Sequence, residues 1–351
     1  MEQLKTIWQI DEIITQEIAE IFEKNIALEK ENKKTYSYSE ILECLLDKYF
    51  ELLKNFTYNN EESIFKTKDI IDRIRKYSKG IKKIFEYSSK GQLVEANKEA
   101  NKLFAISANR ESAEAWFPVV KVDKERFWFR SRKPDFDKVF SRRDLFHVPF
   151  ELRGIIGPNR FSIPGFPCLY LGSTMECARE ETGELAVSAI SCFKNLAEID
   201  AFDFSFFPLF DSHDENLYRY IVSYPFKIAA SIPLSPLKEK NQYKEEYIIP
   251  QLLLHCAIKQ RGSRKITGIL FSSTKAMIKH IQKDNYHQHL NMVVPTLYNP
   301  KKDFCSYLSL HFSLTAPQIV PFGYLTEKER IAIEKSLKSK EFKTLIDDEM
   351  D

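Results

Sequence analysis

"RFSIPGFPCLYLGSTMECAREE", residues 160–181, is the stretch on which the reading of this chain turns. Pro164 and Pro167 precede "CLYLG", a short β-prone run, and Ser173 with Glu176 has the spacing of a capping box that opens a helix. The segment reads as a strand and then a helix, with an arginine at its head and two adjacent glutamates at its end. On that helix Met175, Ala178 and Thr182 share a face, and Glu181 lies beside them, three residues from Ala178. Glu180 lies four residues from Glu176, on the acidic side expected to face water. An inward-turned Glu181 has two explanations: an ion pair with one of the nearby arginines, or chemistry that needs a carboxylate. Spacing alone leaves both open.

The arginines carry the same ambiguity. In "FWFRSR", residues 127–132, alternation sets Arg130 opposite Phe129 and on the face of Trp128 and Arg132. It faces solvent, or it is a planar, multi-donor clamp for phosphate or carboxylate. Arg160 follows the turn-like "GIIGPN" and leads into the β-prone run.

Proline and glycine divide the chain. All 15 prolines lie at or after Pro118, and eight of the 10 glycines at or after Gly154. Both residues disfavour helix, so their scarcity marks a helical first part. There Ile7, Ile10, Ile14, Ile18 and Ile21 recur three and four apart. A second helix follows a Ser37–Glu40 capping box and buries Leu42, Leu45, Leu46, Tyr49 and Leu53. A third centres on Ile70, Ile71, Ile74 and Tyr77, with Gly80 as its expected stop. A fourth runs over about 93–105. Beyond it, β-prone runs alternate with helical stretches, among them "IPQLLLHCAIKQRG" with Pro250 in its first turn, leading into "KITGILF". A final polar helix is capped at Thr326. The expected division is 1–110, an all-α regulatory or interaction domain; 111–325, an α+β catalytic domain; and 326–351, a C-terminal polar helix or tail.

Composition narrows the function. A net charge of +2 gives no long-range field to draw nucleic acid or anionic lipid, and the basic runs near Lys82 and over 335–343 read as solvated helix faces. No apolar stretch approaches a membrane span, and the N-terminus lacks the pattern of a signal peptide. Six cysteines without a CxxC read as reduced thiols, so a cytoplasmic location is expected. His287 and His289 form an HxH without further ligands at metal spacing, which reads as an exposed or structural pair, and His147 reads as a core histidine. No GxSxG, GxxxxGK[ST] or GxGxxG occurs, so neither a Rossmann nor a P-loop site is supported.

Taken in order, "FWFRSR", "NRFSIPGFPCLYLGSTMECAREE" and "YIIPQLLLHCAIKQRGSRKITGILFSST" resemble the RES-domain family, named for its arginine, glutamate and serine. The matching stretches cover residues 125–320. The resemblance implies an ADP-ribosyltransferase-like α+β fold with a split, twisted sheet, and NAD as a substrate, with no permanently bound cofactor and no metal. Carried onto this chain, it implies that Arg130 and Arg160 grip the pyrophosphate and that Tyr170 stacks on or flanks nicotinamide. Glu181 would stabilise the oxocarbenium-like ribose and Ser273 supply a hydrogen bond. Ser272, standing where many members have proline, is the alternative serine. Nicotinamide leaves a cationic pyridinium as a neutral base, so one carboxylate can suffice where a glycosidase needs two.

The function implied is NAD cleavage of the glycohydrolase or phosphorylase type, by a growth-arresting toxin or defence effector. Alternatives are an ADP-ribosyltransferase that modifies a macromolecule and a catalytically inactive interaction protein. The helical first part looks like HEPN-like extensions of some members. It has no histidine before His147, so an R-x(4–6)-H nuclease motif is missing. An antitoxin or regulatory protein acting through that part, or a second copy of the chain, is the expected partner; a membrane and nucleic acid are not.

Overall fold

The computed structural model describes residues 2–58, 67–103, 117–207, 214–234, 243–264, 266–280 and 289–346. Four helices come first: α1 (Glu2–Lys30), α2 (Tyr38–Tyr58), α3 (Thr67–Ser89) and α4 (Leu93–Leu103). Then follow β1 (Val119–Val122), β2 (Phe127–Arg132), α5 (Arg142–Leu145), β3 (Cys168–Gly172), α6 (Met175–Glu181), β4 (Ser188–Asn195) and β5 (Ile199–Phe204). The remainder is α7 (Asp214–Ser231), α8 (Ile248–Arg264), β6 (Ile266–Ser272), α9 (Thr274–His280), β7 (Leu290–Pro295), α10 (Ser306–His311), β8 (Phe312–Leu314), β9 (Gln318–Val320) and α11 (Glu327–Lys338). The fold is mixed α+β with a curled, half-barrel sheet. Among the described residues no helix is long and apolar enough to cross a membrane.

The chain forms two compact units: Met1–Val120 with Phe202–Ser263 and Ile281–Lys283, and Lys121–Ala201 with Arg264–His280 and Asp284–Asp351. This differs from the division at 110 and 325 expected from proline and glycine. Residues 202–263 belong with the N-terminal helices, and the C-terminal stretch belongs with the sheet unit.

The reason for the first difference is the pairing of α7 with α1, α2 and α3. Pro225 sits inside α7 and has no N–H for the carbonyl of Ile221 four residues back. Tyr49 of α2 supplies the missing donor, its hydroxyl 2.7 Å from that oxygen. Tyr38 does the same for the carbonyl of Ala229, at 3.0 Å. Asp11 of α1, fully buried, accepts hydrogen bonds from the hydroxyls of Tyr220 (2.6 Å) and Tyr224 (2.8 Å) and the N–H of Phe207 (2.9 Å). Lys227 lies 3.8 Å from the same carboxylate, its ammonium 3.2 Å from the Tyr220 ring centre. Tyr77 of α3 meets Phe226 at 5.1 Å. A helix that carries its own defect is thus completed by side chains from the first 80 residues.

Within the N-terminal helices the apolar faces read from sequence are buried, including Ile10, Ile14, Leu45 and Ile74, and the Ser37–Glu40 capping box forms. Gly80 does not stop α3, which runs on to Ser89. A Cβ at Gly80 would lie 2.3 Å from Leu103 Cδ1, so the glycine lets α4 cross close to α3; the turn is made at Gly91, with φ +73°.

The second unit has the strand order β6-β7-β3-β2-β4-β8, with β9 also pairing β4. β2 pairs with β4 over six residues, from Phe127↔Lys194 to Arg132↔Ala189. It meets β3 at one register pair, Phe129↔Gly172. The core on the α6 face joins Phe129, Met175, Ala178, Ile190, Cys192, Val320, Phe322 and Leu337. Leu337 is contributed by α11, so the polar C-terminal helix is part of this core, capped at Thr326 as its sequence predicts.

Candidate functional site

The site grows from the end of β3 and the short helix behind it. A Cβ at Gly172 would lie 2.8 Å from the backbone nitrogen of Ala178, so only glycine lets α6 lie this close to the strand. The helix is capped by Thr174, whose hydroxyl accepts from the N–H of Cys177 at 3.0 Å. Ser173, the cap read from sequence, is drawn into the sheet instead: its hydroxyl accepts from the N–H of Leu290 and its own N–H donates to the Leu290 carbonyl. At the other end Lys275 of α9 donates to the last carbonyls of α6, those of Glu180 and Glu181, both at 3.0 Å.

Glu181 is the last residue of α6, and its side chain reaches back over the sheet. Its Oε1 accepts from the hydroxyl of Ser273 at 2.7 Å and from Nδ2 of Asn291 at 2.8 Å. Ser273 is 1 % exposed, Asn291 is 3 % exposed, and Glu181 itself is exposed. No lysine or arginine lies in ion-pair range of Glu181 among the described residues, and its Oε2 has no hydrogen-bond partner among them. One oxygen is held by buried donors while the other faces outward. Ser273 also caps α9 through the N–H of Ala276, at 3.2 Å, so its hydroxyl is fixed by two elements at once.

The orientation of the two glutamates differs from the sequence reading. Glu180, expected to face water, is fully buried beside His289, with 3.8 Å between carboxylate and Nδ1, and Glu181 is the exposed one. Glu176 is not simply wet either. It pairs with Arg179 and with Arg330 of α11, whose guanidinium also donates to the carbonyl of Phe322. A seven-residue helix packed on several sides has no single inward face for periodicity to reveal.

Arg130 and Tyr170 form a second group. Arg130 Nη1 donates to the carbonyl of Tyr170 at 3.0 Å, across the place where β2 and β3 share one register pair. Its Nε makes no hydrogen bond, and no carboxylate pairs with it among the described residues. Burial, and secondarily the neighbouring Arg132, bring its pKa down to about 9. A cation without a counter-charge in such a setting favours an anion. Alternation places Phe129 and Ser131 toward α6, where Ser131 bonds Thr182 at 3.0 Å, and Arg130 on the other face of β2. Arg130 and Glu181 are thus not in contact. Arg160 meets the residue after Ser273, with Nη2 3.5 Å from Oγ1 of Thr274. Ser272, the alternative serine, is buried at the end of β6 opposite Leu290.

Asn291 was not legible as a site residue. Its one signal is a lone amide in the apolar run "LNMVVP", whose strand is buried throughout; a polar side chain there needs a partner, and Glu181 is that partner. His147 is a core residue with a defined tautomer. Its Nδ1–H donates to the Val148 carbonyl at 2.8 Å, and Nε2 accepts from the N–H of Cys305 at 2.9 Å. His289 is described and buried, whereas His287 lies outside the described residues, so the HxH pair is not visible as a unit.

No family model matches this chain, and no solved structure matches it. It is similar to a curated protein of Bacillus subtilis (strain 168) named "Putative toxin YopC", with 34% identity over 264 residues. That match spans 70% of this chain and 59% of the relative.

Proposed function

We propose that this protein is a growth-arresting toxin that acts by cleaving the nicotinamide–ribose bond of NAD, on an ADP-ribosyltransferase-like sheet. The observation that carries the reading is Glu181, anchored through one oxygen by Ser273 and Asn291 and open at the other. A carboxylate so held can face the positive charge that develops on a ribose as nicotinamide departs, without reorganising at the moment of reaction. Arg130 supports it as an uncompensated cation suited to a pyrophosphate. Arg160, beside Thr274, is the second pyrophosphate ligand, and Tyr170, at the β2–β3 junction, flanks the nicotinamide. The name of the Bacillus subtilis relative supports the toxin role. An antitoxin would then be the partner that keeps the site inactive.

The test is incubation of the purified protein with NAD, with nicotinamide followed by chromatography. Release by the wild type, lost in Glu181→Gln and weakened in Arg130→Ala and Arg160→Ala, is the expected result. The co-product, ADP-ribose, its phosphorylated form or a labelled macromolecule, names the acceptor. Equal release by wild type and Glu181→Gln would overturn the assignment of the carboxylate, and no release by either would overturn the NAD reading.

A further inference from the structure

A second feature lies in the helical unit. Residues 70–103, which make most of α3 and all of α4, hold nine lysines and arginines against four aspartates and glutamates, in a chain whose net charge is only +2. The rest of the protein is therefore slightly acidic, and the positive charge is concentrated on one helical hairpin. The hairpin is also shaped. Gly80 brings Leu103 and α4 against α3, and between the two helices runs a groove of about 610 Å³ lined by Arg75, Lys76, Lys79, Lys83 and Lys102.

The carboxylates in the groove do not neutralise these cations. Asp72 meets Arg75 at 3.5 Å, and Glu99 is shared between Lys83 at 3.3 Å and Lys102 at 3.4 Å. Lys76 and Lys79 are exposed and pair with no carboxylate among the described residues. Arg75, Lys76, Lys79 and Lys83 fall one, four and eight residues on from the first, a stripe about 12 Å long at the helical rise. The apolar residue of the lining, Leu103, is buried. Protein partners are anchored by desolvated aromatic and aliphatic side chains, and lysine is depleted where they bind. A row of lysines without an apolar anchor suits a polyanion whose charges repeat along a line.

We propose that the α3–α4 groove binds the phosphodiester backbone of a nucleic acid, irrespective of base sequence. The whole-chain charge concealed this, because a net +2 is the small difference between a basic hairpin and an acidic remainder. The proposal does not depend on the NAD reading.

The experiment measures anisotropy of a fluorescently labelled duplex of about 20 base pairs, and of a single-stranded RNA of similar length, between about 50 and about 200 mM KCl. The full chain is used in each case. Expected is binding at low salt whose logarithmic affinity falls with the logarithm of salt at a slope of about −3 to −4. In Lys76→Glu/Lys79→Glu the affinity should drop about tenfold or more and the slope flatten by about two. The neutral pair Lys76→Gln/Lys79→Gln should lie between. Lys328→Glu/Lys335→Glu on α11 makes the same change in net charge elsewhere and should bind as wild type. Equal loss in that control would overturn the groove as the site. Absence of binding at the lowest salt, or binding of poly-glutamate but of neither oligonucleotide, would overturn the nucleic-acid assignment, the latter in favour of an acidic protein.

Discussion

Glu181 is held by one oxygen and offered by the other, and its substitutions separate chemistry from structure. Glu181→Gln keeps an acceptor for Ser273 and Asn291 and removes only charge from an exposed side chain. Its stability should stay within about 0.5 kcal/mol of wild type in urea unfolding, while nicotinamide release is lost. Had Glu181 been half of a buried ion pair, the cost would be about 3 to 5 kcal/mol instead. Asn291→Ala acts through Glu181: it removes one of the two donors to Oε1, leaving Ser273 alone to hold it, and leaves Cys177, whose thiol lies 3.4 Å from Oδ1, without that partner. Expected are a loss of about 1 to 3 kcal/mol and a fall in turnover larger than any change in KM for NAD. His147 provides the pH dependence. Burial, with the Arg130 charge adding to it, lowers its pKa from 6.5 to about 4, and protonation would abolish the acceptor that Cys305 uses. The unfolded chain therefore binds the proton more readily. Stability from this group is complete above about pH 6.5 and is lost as pH falls toward 4, by about 3 kcal/mol in all. Urea midpoints of wild type and His147→Gln at several pH values should show the steeper acid loss in the wild type.

At the scale of elements, α6 is defined by what surrounds it more than by its own sequence. Gly172 admits it, Thr174 starts it, Lys275 ends it, and Glu334 of α11 accepts from the N–H of Met175 at 2.9 Å. Gly172→Ala would force the helix away from the strand and displace Glu181 from Ser273. Circular dichroism should report a folded protein with a lowered Tm, and NAD cleavage should fall by far more than in a surface variant. α7 shows the same dependence. Tyr49→Phe keeps the ring, which stacks on Tyr224 at 4.2 Å, but strips the donor that replaces the missing Pro225 N–H. A buried carbonyl left without a partner should cost about 1 to 3 kcal/mol in urea unfolding.

At the scale of the whole molecule, the helical unit is discontinuous in sequence. Asp11, Tyr38 and Tyr49 meet groups that come 172 to 213 residues later, and Asp11 also meets the caged ammonium of Lys227. Burial lowers the pKa of that lysine to about 8, with Asp11 opposing the shift. A chain of residues 110–351 would therefore keep α7 while losing the helices whose side chains complete it. Static light scattering and urea unfolding should find it aggregated or without a cooperative transition. A monomeric, cooperatively unfolding fragment would show instead that α7 needs no partner from the first helices.

Local chemistry by itself determined much of this protein. The capping boxes at Ser37 and Thr326, the apolar faces of α1 to α3, the strand–helix step at "CLYLGST" and the buried His147 all follow from neighbours within a few residues, and such interactions are written in the sequence. The resemblance also singled out Glu181 and Ser273, which the fold brings into hydrogen-bond contact. Tertiary structure decided the rest. Which glutamate of "EE" is buried depended on α9, α11 and β7 closing around a helix of two turns. Gly80 became a crossing point because Leu103 arrived there. Asn291 acquired its role only when a carboxylate 110 residues earlier reached it. These contacts join residues far apart in the chain, where no periodicity or spacing connects them.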